Sequence, residues 1–375
     1  MKDKPLIFSA SIGNGHTQAA KALNAELLKQ GYSPKIVDTF YELNPYLHHL
    51  MLYTYLSMIK WQPSVWRKLY FHAEQVPLFH LLDKFSGLYI TQLYRLVNQD
   101  NCPFIISTHP FVTAFLSNLI KKKNLNMPFY TVITDFVLHP AYLRETIDGY
   151  FTASCEIATF AKKNDIAPQL FTSTGIPILA HNTIPLTKEE ARQKLGIPLT
   201  DKVVVIAGGG RGLTNYSRIL KELDSLDDVL HIICMVGENI QAKKKLLKQK
   251  SKHDLKIVGF TDQFIVFLKA SDTIISKAGG VTMAEALVCE TPIVLFRSVP
   301  GHEEQNAQYL TDEGAAVSVA SYKELATTLY RVLHRNDVRE RLITRARSLK
   351  RPFAAHHIIS CILQEEYEKT HRTVK

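Results

Sequence analysis

The sequence has few cysteines and no long apolar run. No Cys-x-x-Cys pair occurs, and the five cysteines lie far apart, at Cys102, Cys155, Cys234, Cys289 and Cys361. An odd, scattered set argues against a disulfide framework and against a zinc site, and it is typical of a reducing compartment. No segment reaches the roughly 18 uncharged apolar residues of a membrane-spanning helix, and the N-terminus lacks a signal-peptide pattern. These absences predict a cytoplasmic protein.

The chain has more basic than acidic residues. Lysine and arginine number 45 against 35 aspartates and glutamates, which gives a formal net charge of +10. Such a balance favours an anionic partner, whether nucleic acid, acidic lipid or a phosphorylated substrate. The basic residues cluster at 121–123, 243–252 and 331–351, although each cluster taken alone is also typical of a solvated helix face.

The same order of strand, glycines and helix occurs twice in the 375 residues. Residues 6–10 form an apolar run followed by Gly13 and Gly15, and residues 203–207 form one followed by glycines at 208–210. Short apolar strands that alternate with helices predict parallel sheets. We therefore expect two Rossmann-like domains, at residues 1–175 and 176–350, and a C-terminal helix within 351–375 that packs back on the first domain.

Residues 40–95 interrupt this alternation with a segment rich in aromatic and basic side chains. It includes Trp61 and Trp66 together with Lys60, Arg67 and Lys68. Aromatic rings beside cations are typical of a surface that lies against the headgroups of a bilayer. A helical insertion that buries its rings in an ordinary core would give the same composition, so both interpretations stay open.

The glycine loop of the first half does not match a dinucleotide fingerprint. Gly13-x-Gly15 follows a strand, but the third small residue of that fingerprint is missing because Gln18 stands at its position. A nicotinamide cofactor is therefore not expected.

The second half has two better candidates for a phosphate site. Glycines at 208–212 follow one strand, and Gly279 and Gly280 follow another. Loop amides and a helix N-terminus at such places bind diphosphate. Thr282 and Glu285 have the spacing of a capping box, which needs no ligand. Alternatively, the Glu285 carboxylate accepts hydrogen bonds from the two hydroxyls of a ribose.

In their order and spacing, these motifs resemble the monogalactosyldiacylglycerol synthase and processive diacylglycerol glucosyltransferase family. The resemblance covers nearly the whole chain. It rests on Gly13-x-Gly15-His16-x-x-Ala19-Ala20, on Thr134-Asp135 with His139, on Val258-Gly259-Phe260-Thr261, on Lys277-Ala278-Gly279-Gly280-x-Thr282-x-x-Glu285, and on Gly301-x-Glu303-x-x-Asn306. It implies an α/β protein of GT-B architecture, in which two Rossmann-like domains with parallel sheets face each other across a cleft.

The resemblance implies that the second domain binds a UDP-sugar, either UDP-glucose or UDP-galactose. The implied donor-binding residues are Gly209, Gly210 and Arg211 at the diphosphate, Gly259, Phe260 and Thr261 at the uracil, Ser276, Gly279, Gly280 and Thr282 at the phosphates, Glu285 at the ribose, and Glu303 and Asn306 at the hexose. No cofactor and no metal is implied, and the sequence contains no Asp-x-Asp motif. Where this chain has His302, the family usually has glutamine.

The first domain is implied to bind diacylglycerol, whose hydroxyl must lose a proton. Histidine is the side chain best suited to accept a proton at neutral pH. His16 stands at a helix start, where the helix dipole keeps the imidazole neutral. We predict that His16 is the base and that Asp135 orients it or acts as a base itself. The other expected acceptor and membrane residues are Gly13, Gly15, His109, His139, Lys60, Trp61, Trp66, Arg67 and Lys68.

Together, these features predict an inverting hexosyltransferase that moves a hexose from a UDP-sugar to diacylglycerol. The enzyme would attach peripherally to anionic lipid at the cytosolic face of the membrane, and no nucleic acid partner is expected. Two alternatives stay open. One is a GT-B transferase that moves an N-acetylhexosamine to a polyprenyl-linked acceptor, and the other is a nucleotide-sugar sensor without catalysis.

Overall fold

The computed structural model describes residues 3–71, 84–98, 102–179 and 186–372. The chain divides into two compact units. The first consists of residues 1–181, 300–302 and 351–375, and the second of residues 182–299 and 303–350. Among the helices of the described ranges, none combines the length and the hydropathy needed to cross a membrane.

Six parallel strands form the sheet of the first unit. In chain order they are β1 (Leu6–Ser9), β2 (Lys35–Asp38), β3 (Ile105–Ser107), β4 (Phe129–Val132), β5 (Gly149–Thr152) and β6 (Phe171–Ser173). Across the sheet their order is β2-β1-β3-β4-β5-β6. The order reverses direction between β1 and β3, and parallel sheets open a ligand-binding crevice at such a point, beyond the carboxyl ends of the strands.

Helices cover both faces of this sheet. They are α1 (Asn14–Lys29), α2 (Thr39–Leu43), α3 (Pro45–Trp61), α4 (Pro63–Phe71), α5 (Ile90–Val97), α6 (Pro110–Lys123) and α7 (Ile157–Lys163). One apolar core joins the strands to α2, α5 and α6. The second core, on α1, is described below with the C-terminal helix. The described residues of the aromatic-basic segment at 40–95 thus form α3, α4 and most of α2 and α5, in place of the strand-and-helix alternation.

The second unit also has a six-stranded parallel sheet. Its strands are β7 (Val203–Ala207), β8 (His231–Gly237), β9 (Asp254–Gly259), β10 (Thr273–Ser276), β11 (Ile293–Phe296) and β12 (Ala316–Val319). Their order is β12-β11-β10-β7-β8-β9, which is the Rossmann order read from one edge. The reversal falls between β7 and β10. The expected α/β class with two Rossmann-like domains is therefore confirmed.

The described residues of the second unit form eight helices, of which the first precedes β7. They are α8 (Lys188–Leu195), α9 (Tyr216–Leu223), α10 (Ile240–Leu246), α11 (Phe264–Ala270), α12 (Gly280–Val288), α13 (His302–Asp312), α14 (Tyr322–His334) and α15 (Asn336–Leu349). The chain ends with α16 (Ala354–Arg372), which belongs to the first unit. Ile358, Ile359 and Ile362 of α16 share a core with Leu23 and Leu27 of α1.

One carboxylate ties together the two central strands of the second sheet. Asp272 immediately precedes β10, and its Oδ2 accepts hydrogen bonds from the Val203 amide at 2.7 Å and from Arg192 Nη2 at 2.9 Å. The Arg192 side chain is only 3% exposed, and its Nε and Nη1 donate to three backbone carbonyls. Because β7 and β10 lead into the two glycine loops, this pair helps to set the position of both.

Replacing Asp272 with alanine leaves the buried guanidinium of Arg192 without its carboxylate, which lowers the free energy of unfolding of the second unit by about 3 kcal/mol. Calorimetry should show a lower melting temperature for the transition that contains this unit. Asp337→Ala is the control, because it removes only an exposed partner of Arg335 and such pairs contribute little. Equal melting temperatures for Asp272→Ala and the unaltered chain would contradict this role.

Candidate functional site

Two loops of the first unit meet at the reversal of its sheet. The loop after β1 passes through Gly13, the N-cap of α1, and the loop after β3 contains Thr108 and His109. Thr108 Oγ1 donates to Ser9 Oγ at 3.0 Å and lies 3.2 Å from the carbonyl oxygen of His16. These bonds hold His16 beside the end of β3, inside the crevice that the strand order predicts.

A hydrogen bond to a carbonyl fixes the tautomer of His16, the third residue of α1. Its Nδ1 lies 2.7 Å from the Thr108 carbonyl oxygen and 2.9 Å from Thr134 Oγ1. A carbonyl oxygen can only accept, so Nδ1 carries the proton and Nε2 keeps its lone pair. No hydrogen bond among the described residues engages Nε2. His16 therefore presents a proton acceptor whose orientation is set from the opposite side of the ring.

The residues around His16 lower its pKa through burial, and one of them, Asp135, favours the protonated ring. Burial is the main cause that lowers its pKa, and the charge of His302 adds to this. The Asp135 carboxylate and the hydrogen bond to Thr108 act in the opposite direction and raise the pKa. The ring is thus a neutral base at pH 7, and Asp135 stabilises the imidazolium that forms when the base takes a proton.

His109 and His139 have mainly positioning contacts. His109 Nδ1 accepts from the Phe111 amide at 3.2 Å and so caps α6, and its ring centroid is 4.5 Å from that of His16. Burial holds the pKa of His109 well below its usual range. His139 Nδ1 accepts from the Ala141 amide at 3.1 Å, and its Nε2 donates to the Tyr70 carbonyl at 3.3 Å. Both nitrogens of His139 are therefore engaged.

Asp135 lies just after β4, close to two tyrosines. Burial, followed by the negative charge of Asp135, raises the pKa of Tyr70 and of Tyr142 far above the usual value. Both phenols therefore stay protonated at neutral pH. Sequence reasoning gave neither Tyr70 nor Tyr142 a role in the site, because neither tyrosine belongs to a recognisable catalytic or binding motif.

Helix α4 holds residues 300–302 within the first unit. Trp66 Nε1 donates to the Pro300 carbonyl at 3.0 Å. Gly301 has a φ of +95°, and a Cβ there would lie 2.9 Å from the Tyr70 ring, so no other residue fits easily. The Tyr70 and His302 rings are 6.1 Å apart. This contact brings His302 close enough to lower the pKa of both His16 and His109.

The other face of the aromatic-basic segment is exposed. On α3, Tyr46, Leu50, Tyr53 and Trp61 are 86%, 62%, 73% and 73% exposed. Their spacing places them along one side of the helix, and such a stripe is unusual unless it meets another surface. Arg67 and Lys68 of α4 are exposed as well. Lys60 belongs to α3, but its side chain lies outside what the structure describes.

In the second unit, both glycine loops begin at the reversal of the sheet. Ser276 at the end of β10 donates through Oγ to the Ala207 carbonyl at the end of β7, at 3.1 Å. Gly212 closes the first loop with a φ of +57°, and a Cβ there would lie 2.1 Å from the Val236 carbonyl oxygen. Gly209, Gly210 and Arg211 lie in this loop, which the sequence assigned to a diphosphate.

The N-terminus of α12 has no side-chain cap. Gly279 is the N-cap, and α12 begins at Gly280, so Thr282 is the third residue of the helix. The capping-box interpretation of Thr282 and Glu285 is therefore wrong, because the helix starts three residues earlier than that box requires. The first amides of α12 point out of the helix as donors, as they do where a helix binds an anion.

Glu285 lies in the second turn of α12. Burial raises the pKa of its carboxyl group to about 8. At neutral pH the group is therefore mostly protonated, and it can both donate and accept a hydrogen bond.

Helix α13 is tied to the loop before α12. Glu303 is 3% exposed, and its Oε2 accepts from the Val299 amide at 2.8 Å. Its Oε1 pairs with the ammonium of Lys277. Asn306 is fully buried, and its Nδ2 donates to the Ala278 carbonyl at 3.1 Å. The structure thus brings Glu303 and Asn306 next to the glycines at 279 and 280. It adds Lys277, which sequence reasoning quoted in a motif without giving it a role.

The residues expected at the uracil follow β9. Gly259 ends that strand opposite Gly237, Phe260 is 45% exposed, and Thr261 Oγ1 accepts from the Gln263 amide at 3.1 Å. No group of three or more metal-ligating side chains that could hold an ion occurs among the described residues. The expectation that no metal takes part stays a prediction.

Two family models match successive parts of the chain. Residues 16–178 match the monogalactosyldiacylglycerol (MGDG) synthase model. Residues 203–358 match the glycosyltransferase family 28 C-terminal domain model. The first match contains His16 and Asp135, and the second contains both glycine loops and Glu303. The family resemblance expected from the sequence is confirmed.

Curated relatives match over almost their full length. The chain is 28% identical over 368 residues to a processive diacylglycerol beta-glucosyltransferase of Bacillus pumilus, covering 96% of this chain and 95% of that protein. It is 27% identical over 371 residues to one of Bacillus cytotoxicus, covering 98% and 95%. Among solved structures, MurG of Acinetobacter baumannii has a TM-score of 0.65 at 16% identity, covering 96% of this chain and 99% of MurG. That likeness concerns the fold.

The causes of the His16 pKa shift predict opposite effects of two substitutions. Asp135→Asn removes the negative charge that raises the pKa, so His16 should titrate at a lower pH. His302→Gln removes a positive charge that lowers it, so His16 should titrate at a higher pH. NMR titration of labelled histidines would measure both shifts. His357→Gln, an exposed change on α16, is the control, and shifts of equal sign in the first two variants would contradict this electrostatic account.

Proposed function

We propose an activity for this chain, whose first part matches the monogalactosyldiacylglycerol synthase model and whose second part matches the glycosyltransferase family 28 C-terminal domain model. The protein is a hexosyltransferase that moves a hexose from a nucleotide sugar to the hydroxyl of diacylglycerol. The donor is a UDP-sugar, and the configuration of the anomeric carbon is inverted. The product is a membrane glycolipid made at the cytosolic face of the membrane.

The observation that carries this proposal is the geometry of His16. Its protonated Nδ1 is held by the Thr108 carbonyl at 2.7 Å, so Nε2 can take a proton from an acceptor hydroxyl. A binding protein has no need of a neutral imidazole oriented in this way beside a carboxylate. This argues against a sensor without catalysis. The curated relatives are named for transfer to diacylglycerol, so a polyprenyl-linked acceptor is not favoured.

The second unit would bind the donor at the reversal of its sheet. Loop amides at 209–211 and the uncapped start of α12 would hold the diphosphate, with Ser276 and Thr282 at its oxygens. Glu285, whose burial raises its pKa to about 8, would exchange hydrogen bonds with the ribose hydroxyls. Gly259, Phe260 and Thr261 would contact the uracil, and Glu303 and Asn306 the hexose.

The reaction would be a single displacement. The acceptor oxygen attacks the anomeric carbon while His16 Nε2 removes its proton, and the bond between that carbon and the phosphate oxygen breaks. The pair of electrons from that bond leaves on the diphosphate, whose added charge the amides of α12 and of the loop at 209–211 stabilise. Asp135 stabilises the imidazolium of His16 until the proton passes to solvent.

The exposed face of the aromatic-basic segment would attach the enzyme to the bilayer. The apolar stripe Tyr46, Leu50, Tyr53 and Trp61 would lie among the headgroups. Lys60, Arg67 and Lys68 would add attraction to anionic lipid. Trp66 has a different role, because its indole N–H donates a hydrogen bond to the Pro300 carbonyl.

A direct test incubates the protein with diacylglycerol vesicles and a panel of UDP-sugars, and identifies the lipid products by mass. The proposal expects a hexosyl diacylglycerol from UDP-glucose or UDP-galactose and none from UDP-N-acetylglucosamine. Products formed only on a polyprenyl phosphate acceptor would contradict it.

Replacing His16 with alanine should lower the rate of transfer by roughly 10²- to 10⁴-fold, the usual contribution of a general base. UDP binding, measured by calorimetry, should not change, because His16 lies outside the proposed donor residues. His357→Ala on α16 is the matched control and should keep full activity. Transfer by His16→Ala at the normal rate would remove His16 as the base.

Replacing Lys60, Arg67 and Lys68 together with glutamine should weaken binding to anionic vesicles. Each basic residue near such a surface contributes about 1 kcal/mol, so a fall of roughly tenfold or more is expected. Affinity for UDP should stay the same. The matched control replaces Lys243, Lys244 and Lys245 of α10, which removes the same charge from the second unit. If both triple variants partition equally, the docking surface has been assigned wrongly.

A further inference from the structure

The second unit contains an ion pair whose carboxylate is almost fully buried. The side chain of Glu303 is 4% exposed and that of Lys277 is 20% exposed, and the ammonium lies directly on Oε1 of the carboxylate. The second oxygen, Oε2, accepts from the Val299 amide at 2.8 Å. Both carboxylate oxygens are therefore engaged, Oε1 by the Lys277 ammonium and Oε2 by a backbone amide.

Lys277 lies where the two glycine loops approach each other. A Cβ at Gly209 would be 3.1 Å from Cε and 3.7 Å from Nζ of Lys277, and a Cβ at Gly279 would be 3.7 Å from Glu303 Oε1. The ammonium is therefore close to the backbone of the first loop, and the carboxylate oxygen is close to the N-cap of α12. Glycines at both positions leave this space open.

The Lys277 ammonium lies where a positive charge is unfavourable. The N-terminus of α12 carries partial positive charge, and α12 has no acidic side chain in its first turn. A lysine nearby is stable only with a negative partner, and Glu303 supplies it. An arriving diphosphate would bring negative charge to the same place, and it would compete with Glu303 for the ammonium.

From these contacts we propose that Lys277 binds the diphosphate of the donor and that it exchanges Glu303 for the phosphate when the donor arrives. This inference rests on the proposed function and assigns Lys277 to its first step, the binding of the donor. Once Lys277 has moved, Glu303 Oε1 is available to accept a hydrogen bond from a hexose hydroxyl. The hexose is thus recognised only after the diphosphate is in place.

The test measures the affinity for UDP and for uridine, which has no phosphate, by calorimetry and by ligand-induced change in melting temperature. Lys277→Met should weaken UDP binding by roughly 10- to 100-fold, the effect of losing a charge-assisted hydrogen bond. Lys277→Arg should restore most of it. Uridine binding should be the same in all variants. Lys244→Met, an exposed change on α10, controls for the loss of one positive charge and should bind UDP normally.

Glu303→Gln separates this exchange from a merely structural ion pair. It releases Lys277 without removing it, so UDP should bind more tightly than to the unaltered chain. The double variant Lys277→Met/Glu303→Gln leaves no buried charge unpaired, which keeps the test valid if Lys277→Met alone folds poorly. Its UDP affinity should fall well below that of Glu303→Gln.

Two results would overturn the proposal. One is UDP affinity in the double variant equal to that in Glu303→Gln, and the other is weaker UDP binding in Glu303→Gln than in the unaltered chain. In either case normal transfer of hexose by the unaltered protein would leave the proposed function intact. If the unaltered protein neither bound UDP nor transferred hexose, the proposed function would fail, and this inference would fail with it.

Discussion

The hydrogen bond from His16 Nδ1 to the Thr108 carbonyl links two loops that are 92 residues apart in the chain. It can form only because β1 and β3 are neighbours, which in turn requires the chain to cross from β2 over β1. The same bond decides which ring nitrogen carries the proton. Thr134, at the end of the next strand, contacts the same nitrogen at 2.9 Å. The ends of three adjacent strands, β1, β3 and β4, therefore determine which nitrogen of the His16 imidazole carries the proton. These strands are adjacent only because the strand order of the sheet reverses between β1 and β3.

Much of the fold could be predicted from short apolar runs, the clearest of which are followed by glycines. β1 and β7 could be predicted because each run precedes a glycine loop and a helix. β5 and β6 were not predicted, because β5 begins with Gly149 and β6 has one apolar residue followed by two polar ones. The tautomer of His16 was beyond any sequence pattern, since Thr108 carries no signal of its own. The nearness of His302 to His16 was also unpredictable, because it depends on the packing of Gly301 against Tyr70.

The aromatic-basic segment shows why one composition supported two interpretations. On α4, Trp66 and Tyr70 pack against residues 300–302, as an ordinary insertion would. On α3, Tyr46, Leu50 and Tyr53 point their rings and side chains into solvent, as an interfacial helix would. Composition alone cannot divide a segment between its two faces, because aromatic residues serve both purposes equally well. The division becomes visible only when burial is known for each side chain.

In both units, burial disfavours the charged form of ionisable side chains at the candidate site. Desolvation lowers the pKa of His16 and raises that of Glu285 to about 8, so each group is mostly neutral at pH 7. Lys277 and Glu303 instead lie together as an ion pair. Groups held in this way avoid the larger cost of a buried charge without a partner, because His16 and Glu285 are neutral and Lys277 is paired with Glu303. A bound diphosphate would add negative charge beside Lys277, and protonation of His16 would add positive charge beside Asp135. In each case a side chain of opposite charge is already in place to stabilise the added charge.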